Sequence, residues 1–249
     1  MNPAAAARRA ALRQAPREVG RELRIGRWLV LAPHPDDETL GAGALIGALA
    51  DAGRCAQVVY LTDGAGSHPH SPSWSPERLA AKRRGEARAA LRRLAGQRAA
   101  APIFFDWPDA RPHPAQSAAF SRSVDRLVAL LRKRGITKLA TTWSHEPHCD
   151  HTAAAALAMA AVQRMRGRVR VYWYVVWGWD APQLDQLARC RALALPNPGP
   201  QAVRRGSALA QHRSQLGSVI TDSPEGFRLP KAMAKTAADR QMLFATGRA

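Results

Sequence analysis

Two short stretches of this 249-residue chain concentrate side chains capable of hydrolytic chemistry. The first is Pro33-His34-Pro35-Asp36-Asp37-Glu38, and the second is His145-Glu146-Pro147-His148-Cys149-Asp150-His151. A catalytic zinc takes three protein ligands from His, Asp or Glu and keeps one position open for water. His34 and Asp37, three apart in a turn, satisfy two of these positions, and His151 closes the set. A divalent cation held this way lowers the pKa of water to about 7, so a nucleophile is available at neutral pH. Attack on an amide also needs a base for the proton of that water, and Asp36, beside a ligand, can fill the role. An acid must protonate the leaving amine, and His148 is placed for it. As imidazolium His148 could equally stabilise the oxyanion, and the spacing leaves both roles open.

Each residue also has a plainer reading. Lone histidines are usually surface or core residues, which is the expectation for His68, His70 and His113. Asp36 and Asp37 could be turn residues, and Asp150 could be the N-cap of a helix starting at His151. Weight comes from the joint pattern: a proline-flanked, doubly acidic turn matched by H-x-x-H elsewhere, each directly after an apolar run.

Those runs must be the elements that position the chemistry. Residues 28–32, 57–61, 103–105, 138–142 and 169–177 read as strands. Helical patterns alternate with them over 40–52, from the Ser75-Pro76 cap-and-start pair onward, over 120–134 and over 151–166. The alternation predicts an α/β fold: a Rossmann-like, doubly wound, mostly parallel sheet with helices on both faces. In strand order 3-2-1-4-5 the first and fourth strands are neighbours at the topological switch point, where ligands bind beyond the carboxyl ends. Both motifs follow those two strands and are therefore expected to meet. Beyond residue 181 the pattern weakens to a helix over 202–215 and a loop over 223–230. Residues 1–24 read as a basic, Ala/Arg-rich tail, and 25–249 as one domain.

The formal charge is +18, carried mostly by arginine, with lysine only at positions 82, 133, 138, 231 and 235. Scattered among alanines, this excess is expected to be compositional or to lie on solvated faces, and no nucleic-acid partner is expected. No apolar run approaches the roughly 18 residues of a membrane span. The N-terminus lacks the apolar core of a secretory signal. Cys55, Cys149 and Cys190 read as reduced thiols, and the expected location is the cytoplasm.

The two motifs, His34-Pro35-Asp36-Asp37-Glu38 and His148-Cys149-Asp150-His151, resemble the signatures of the PIG-L (LmbE-like) deacetylase family. Thr62-Asp63-Gly64, Arg83-Arg84-Gly85-Glu86, Trp107-Pro108-Asp109 and His212-Arg213-Ser214-Gln215 extend the resemblance over about residues 28–215. The resemblance implies a Rossmann-like fold and removal of acetyl groups from N-acetylglucosamine-containing molecules such as glycolipids, thiol-glycosides and antibiotic precursors. It also implies that His34, Asp37 and His151 bind the metal, zinc first, with ferrous iron or another divalent metal as alternatives. Asp36 would be the general base, and His148 the acid or oxyanion stabiliser, oriented by Asp150. Arg83 and Asp109 match positions that contact the sugar. Cys149 stands where proline is frequent and is read as a spacer.

Two competing functions keep different parts of this pattern. An amidase acting on another sugar-conjugate amide would use the same metal site. A non-catalytic basic module for nucleic acid or anionic lipid would need a clustered basic face with aromatic platforms; Trp28, Trp173 and Trp177 fall instead in strand-like or loop contexts. The charge, with Arg83 beside the expected sugar site, adds the expectation that a phosphate-bearing acetylated sugar is preferred.

Overall fold

The computed structural model describes residues 20–195, 199–236 and 241–247. The continuous apolar runs become strands buried on both faces, as parallel sheets covered by helices require. Every residue of β1 (Trp28–Ala32), β2 (Ala56–Thr62) and β4 (Lys138–Thr142) is buried. With β3 (Ile103–Trp107) and β5 (Arg170–Tyr174) they form a parallel sheet in the order 3-2-1-4-5. Two strands beyond the expected five extend it past β5. These are β7 (Met242–Ala245), antiparallel to both its neighbours, and β6 (Arg191–Ala194) at the edge. Each has only four residues, too few to show a period against the alanine-rich background.

Successive strand residues point to opposite faces, and two cores follow. Leu29, Leu31, Leu61 and Leu139 pack against α4 (Ala118–Lys133) and α5 (Cys149–Arg164) through Val124, Leu127, Ala158 and Val162. Val30, Val58, Tyr60 and Ala140 face α2 (Asp37–Asp51), α3 (Pro76–Ala95) and α6 (Gly199–Leu209) through Leu45, Leu49, Leu91 and Ala208. The expected Ser75-Pro76 start is present: Ser75 Oγ accepts the Arg78 N–H at 3.3 Å.

Several boundaries move. Residues 20–24, assigned to the tail, form α1 (Gly20–Arg24), with Glu22 and Leu23 buried, while residues 1–19 lie outside the described residues. Helix α2 starts at Asp37 rather than at residue 40, and α5 starts at Cys149 rather than at His151. The N-cap of α5 is His148, not Asp150, because the ring Nδ1 accepts the Asp150 N–H at 3.2 Å. The helix expected over 202–215 ends at Leu209, followed by a 3₁₀ turn at Arg213–Gln215; a short helix α7 (Lys231–Thr236) precedes β7. No helix among the described residues is long and apolar enough to cross a membrane, and all three cysteines are free.

Candidate active site

The turn after β1 and the turn after β4 meet at the carboxyl end of the sheet, where α2 and α5 begin. The His34, His148 and His151 rings lie with centroids 4.7 to 5.3 Å apart. Asp37 Oδ2 sits between two of them, 3.1 Å from His34 Nδ1 and 3.2 Å from His151 Nε2. Each of these imidazoles is backed by another carboxylate on its far nitrogen. His151 Nδ1 is 3.1 Å from Glu146 Oε2, and His34 Nε2 is 2.9 Å from Asp150 Oδ2 and 3.2 Å from Asp109 Oδ1.

A carboxylate behind the outer nitrogen of a histidine fixes its tautomer and leaves the inner lone pair for a metal. His151 Nε2 is buried and has no hydrogen-bond partner despite its closeness to Asp37. An unpartnered buried nitrogen is costly unless something else satisfies it. The donors of this cluster suit a divalent cation: His34, His148 and His151 bring ligand atoms within 4.8 Å of one another, as do His148, Cys149 and Asp150, and His34, Asp109 and Asp150, while Asp37 belongs to none of these groupings. Glu146 is itself fixed by the backbone N–H groups of Val176, Trp177 and Gly178 at 2.8, 2.9 and 3.1 Å.

The charges are strongly coupled. Burial disfavours protonation of both His34 and His151, but the surrounding carboxylates overrule it. They raise His34 well above its ordinary value and bring His151 to about 9. Burial would raise Asp37 too, yet His151 and His34 hold it far below the usual carboxylate range. Burial dominates at Asp36 and pushes its carboxyl up to about 6, with Arg83 opposing and Asp37 reinforcing. His148 is lowered by burial and by the neighbouring His34 and His151.

Asp36 is held at φ 154°, ψ −28°, a conformation L residues rarely adopt. Its N–H reaches Glu38 Oε2 at 3.0 Å, and Glu38 Oε1 in turn meets His212 Nε2 at 3.1 Å. The buried Arg83 guanidinium donates to the carbonyls of Pro35 and Gly64 at 3.0 and 2.9 Å and lies 3.5 Å from Asp36 Oδ2. Thr62-Asp63-Gly64 explains itself here: Gly64 has φ 69°, and a Cβ there would sit 2.8 Å from Arg83.

A cavity of about 540 Å³ opens over this cluster. Asp36, Asp37, Arg83, Asp109, His148 and His151 all line it, so the expected site residues other than Asp150 share one cavity. Asp150 lies beneath, fully buried. Its carboxylate accepts the Ala110 N–H at 2.8 Å, meets His34 and lies 4.0 Å from His148, whose ring accepts the Asp150 backbone N–H at 3.2 Å. Cys149 is exposed and lies outside the lining, in keeping with a spacer. Arg83 is the only arginine of the lining among the described residues and no lysine joins it; its two terminal nitrogens already donate to the Gly64 and Pro35 carbonyls, and only Nε is without a partner.

The far wall comes from segments whose sequence carries little signal. Trp177 follows β5, and Phe227 and Glu225 come from the loop before α7. The two aromatic rings meet edge to face at 6.1 Å. That loop is tied down by Phe227 N–H to Ser67 O at 2.7 Å and Leu229 N–H to Gln215 O at 2.8 Å. The Arg83–Glu86 and His212–Gln215 motifs also join, since Ser214 donates to Glu86 from its backbone and hydroxyl at 3.0 and 2.6 Å.

Comparison with known proteins places this geometry. A teicoplanin deacetylase in a zinc-inhibited form superposes with a TM-score of 0.63 at 19% identity, covering 90% of this chain and 98% of that one. An N,N'-diacetylchitobiose deacetylase from Pyrococcus horikoshii gives 0.63 at 20% identity, covering 86% and 80%. A 4-carboxy-2-hydroxymuconate hydratase from Pseudomonas putida gives 0.58 at 18%, covering 89% and 95%. At such identities the likeness shows a shared fold, and the hydratase among them shows that this fold alone does not name a reaction. No curated protein sequence matches the chain. The sequence profile of PIG-L, described as GlcNAc-PI de-N-acetylase, does match, over residues 29–162. That span exceeds half the chain and contains both motifs, so the chain belongs to the PIG-L family and is an N-deacetylase of the hydrolase class.

Proposed function

We propose that the chain hydrolyses the acetamido group of an N-acetylglucosamine-type sugar or glycoconjugate, with zinc held by His34, Asp37 and His151. One observation carries the reading. Two imidazole nitrogens approach the same Asp37 oxygen, and each imidazole is backed by a further carboxylate. When bound there, the cation supplies a Lewis acid for the amide carbonyl and for the attacking water.

The remaining steps belong to the chain. Asp36 takes the proton of the water; with a pKa near 6 it is ionised at neutral pH yet more basic than an ordinary aspartate. Arg83 positions that carboxylate and the turn that carries it. His148 Nδ1 already accepts the Asp150 N–H, so the ring proton resides on Nε2, which donates to the oxyanion of the tetrahedral intermediate. The proton gathered by Asp36 then returns to the leaving nitrogen. Gln215 lines the cavity with an unpartnered Oε1, an acceptor for a sugar hydroxyl, and Asp109 offers a second. Trp177 and Phe227 form an apolar wall for the C–H face of the ring.

The test is to incubate zinc-loaded protein with a panel of N-acetylated sugars, sugar phosphates and glycolipids and to assay free amine. Release of amine from at least one N-acetyl sugar is expected. Cleavage of other amides alone would overturn the sugar reading.

A further inference from the structure

The positive charge that the catalytic cavity does not use collects at the other end of the sheet. There β1, β4 and β5 begin in register, with Trp28 beside Lys138 and Lys138 beside Arg170. Each strand is entered through basic segments. Arg24 and Arg27 precede β1, Arg132, Lys133 and Arg134 precede β4, and Arg164, Arg166 and Arg168 precede β5, all of them exposed.

Between these segments lies a cavity of about 560 Å³. Its lining includes Arg21, Lys138, Arg168, Arg170 and Arg191, and its one acid among the described residues is Glu22. A neighbouring cleft of about 250 Å³ is walled by Arg132, Arg164 and Arg166 and shares Arg168. Glu22 is already committed: its carboxylate accepts from Tyr172 Oη at 2.8 Å, from Lys138 Nζ at 2.6 Å and from Arg191. Arg21, Arg168 and Arg170 have no carboxylate partner among the described residues. Lys138 and Arg170, like charges directly opposed across a strand pair, repel. In keeping with that, burial lowers Lys138, and Arg54 and Arg170 lower it further, against the pull of Glu22.

Apolar exposure is also concentrated here. The described residues include four large, exposed hydrophobic side chains, and two of them, Ile25 and Met159, line this cavity. The aromatic residue of the lining, Tyr172, is fully buried with its hydroxyl on Glu22, so no ring is free to stack on a nucleobase.

We propose that this cavity binds a phosphate group attached to an apolar moiety, the chemistry shared by a phospholipid headgroup and a soluble phosphate ester. Guanidinium forks match phosphate oxygens in pairs, Arg21 and Arg168 supply forks without a carboxylate partner, with Arg170 beside them on the Tyr172 hydroxyl, and Ile25 and Met159 receive the apolar part. The site lies at the opposite end of the strands from the catalytic cavity, so its occupant is not the deacetylation substrate in transit.

The full chain is titrated by calorimetry with naphthyl phosphate and with inorganic pyrophosphate. In parallel it is sedimented with phosphatidylcholine vesicles with and without phosphatidylserine. Saturable binding at one site per chain is expected for naphthyl phosphate, for phosphatidylserine vesicles or for both; the responding arm identifies the source. Pyrophosphate, without an apolar part, should bind more weakly. Arg21→Ser with Arg168→Ser, both exposed positions, should weaken binding about tenfold or more, as loss of charge-assisted hydrogen bonds does. Met159→Ser should weaken it by a few fold. Arg92→Ser with Arg93→Ser removes the same charge from the exposed face of α3 and should change nothing. An equal loss in that control, binding that never saturates, or no binding in either arm would overturn the proposal.

Discussion

Two charged nests lie at opposite ends of β1, β4 and β5, and they are built to opposite standards. At the amino end, Glu22, Lys138, Tyr172 and Arg191 satisfy one another. Both carboxylate oxygens accept, the Lys138 ammonium also reaches the Glu22 carbonyl at 2.6 Å, and no member has a buried, unpartnered atom. At the carboxyl end, His151 Nε2, Arg83 Nε, His212 Nδ1 and Gln215 Oε1 are buried without hydrogen bonds, and Asp36 is held in strained backbone. A fully paired nest joins α1 to the sheet. A nest left with open valences and stored strain keeps room for something that is not protein. Buried charge by itself therefore does not single out the candidate site; of the two nests, only the one at the carboxyl end has buried side-chain atoms without partners.

The contrast can be broken first at the proposed metal ligands, where the largest effect is expected. His34→Ala, Asp37→Ala and His151→Ala should each lose most of one bound zinc per chain, by elemental analysis, and reduce amine release to background. Full occupancy in all three would place the site elsewhere. Asp36→Asn should keep the zinc and lower kcat by about 10²–10⁴-fold, the usual worth of a positioned acid–base group. Turnover near that of the unmodified protein would remove Asp36 from the mechanism.

The opposite nest should respond in stability and not in metal. Glu22→Gln leaves the buried Lys138 without its counter-charge, Arg191 being solvent-exposed, and should cost about 2 kcal/mol of unfolding free energy, between the values for an exposed and a buried pair. Zinc content should stay unchanged. Acid titration sharpens the point. Burial would raise Glu22, but Lys138, Tyr172 and Arg191 together bring it down to about 2 from an ordinary 4.5. A depressed carboxyl contributes stability that is complete above its unfolded value and is lost as pH falls through the folded one. Denaturant midpoints should therefore drop between about pH 4.5 and pH 2, and that part of the drop should vanish in Glu22→Gln. An identical acid profile in the variant would mean that the nest is not a stabilising unit.

Glu146→Gln should weaken zinc binding about 10–100-fold while leaving thermal unfolding of the metal-free protein little changed, the expected cost of losing an outer-shell carboxylate. Smaller still, Phe227→Ala should raise KM by a few fold with kcat held, since an aromatic contact contributes about 0.5–1.5 kcal/mol. A fall in kcat of the same size would give the ring a role in positioning the reacting groups.

Much of the catalytic end was legible in the linear chain. Continuous apolar runs declared buried parallel strands, the Ser75-Pro76 pair declared the start of α3, and the alternation of elements declared a doubly wound sheet, for which the order 3-2-1-4-5 was assumed and is observed. That order sufficed to bring His34, Asp36 and Asp37 together with His148 and His151, because loops after neighbouring parallel strands must emerge on the same edge. The types and spacing of those five residues are what the proposed chemistry rests on. Other features depended on contacts between residues far apart in sequence. Which acid backs which histidine was invisible: Glu146 takes His151, and Asp150 takes His34 across 116 positions rather than its neighbour His148. The wall from Trp177 and Phe227, and the short strands β6 and β7, have no period of their own and take shape only against the finished sheet. The net charge was plain from composition, but its separation from the catalytic cavity was not, because arginines spread along the chain converge only when the starts of β1, β4 and β5 are laid side by side.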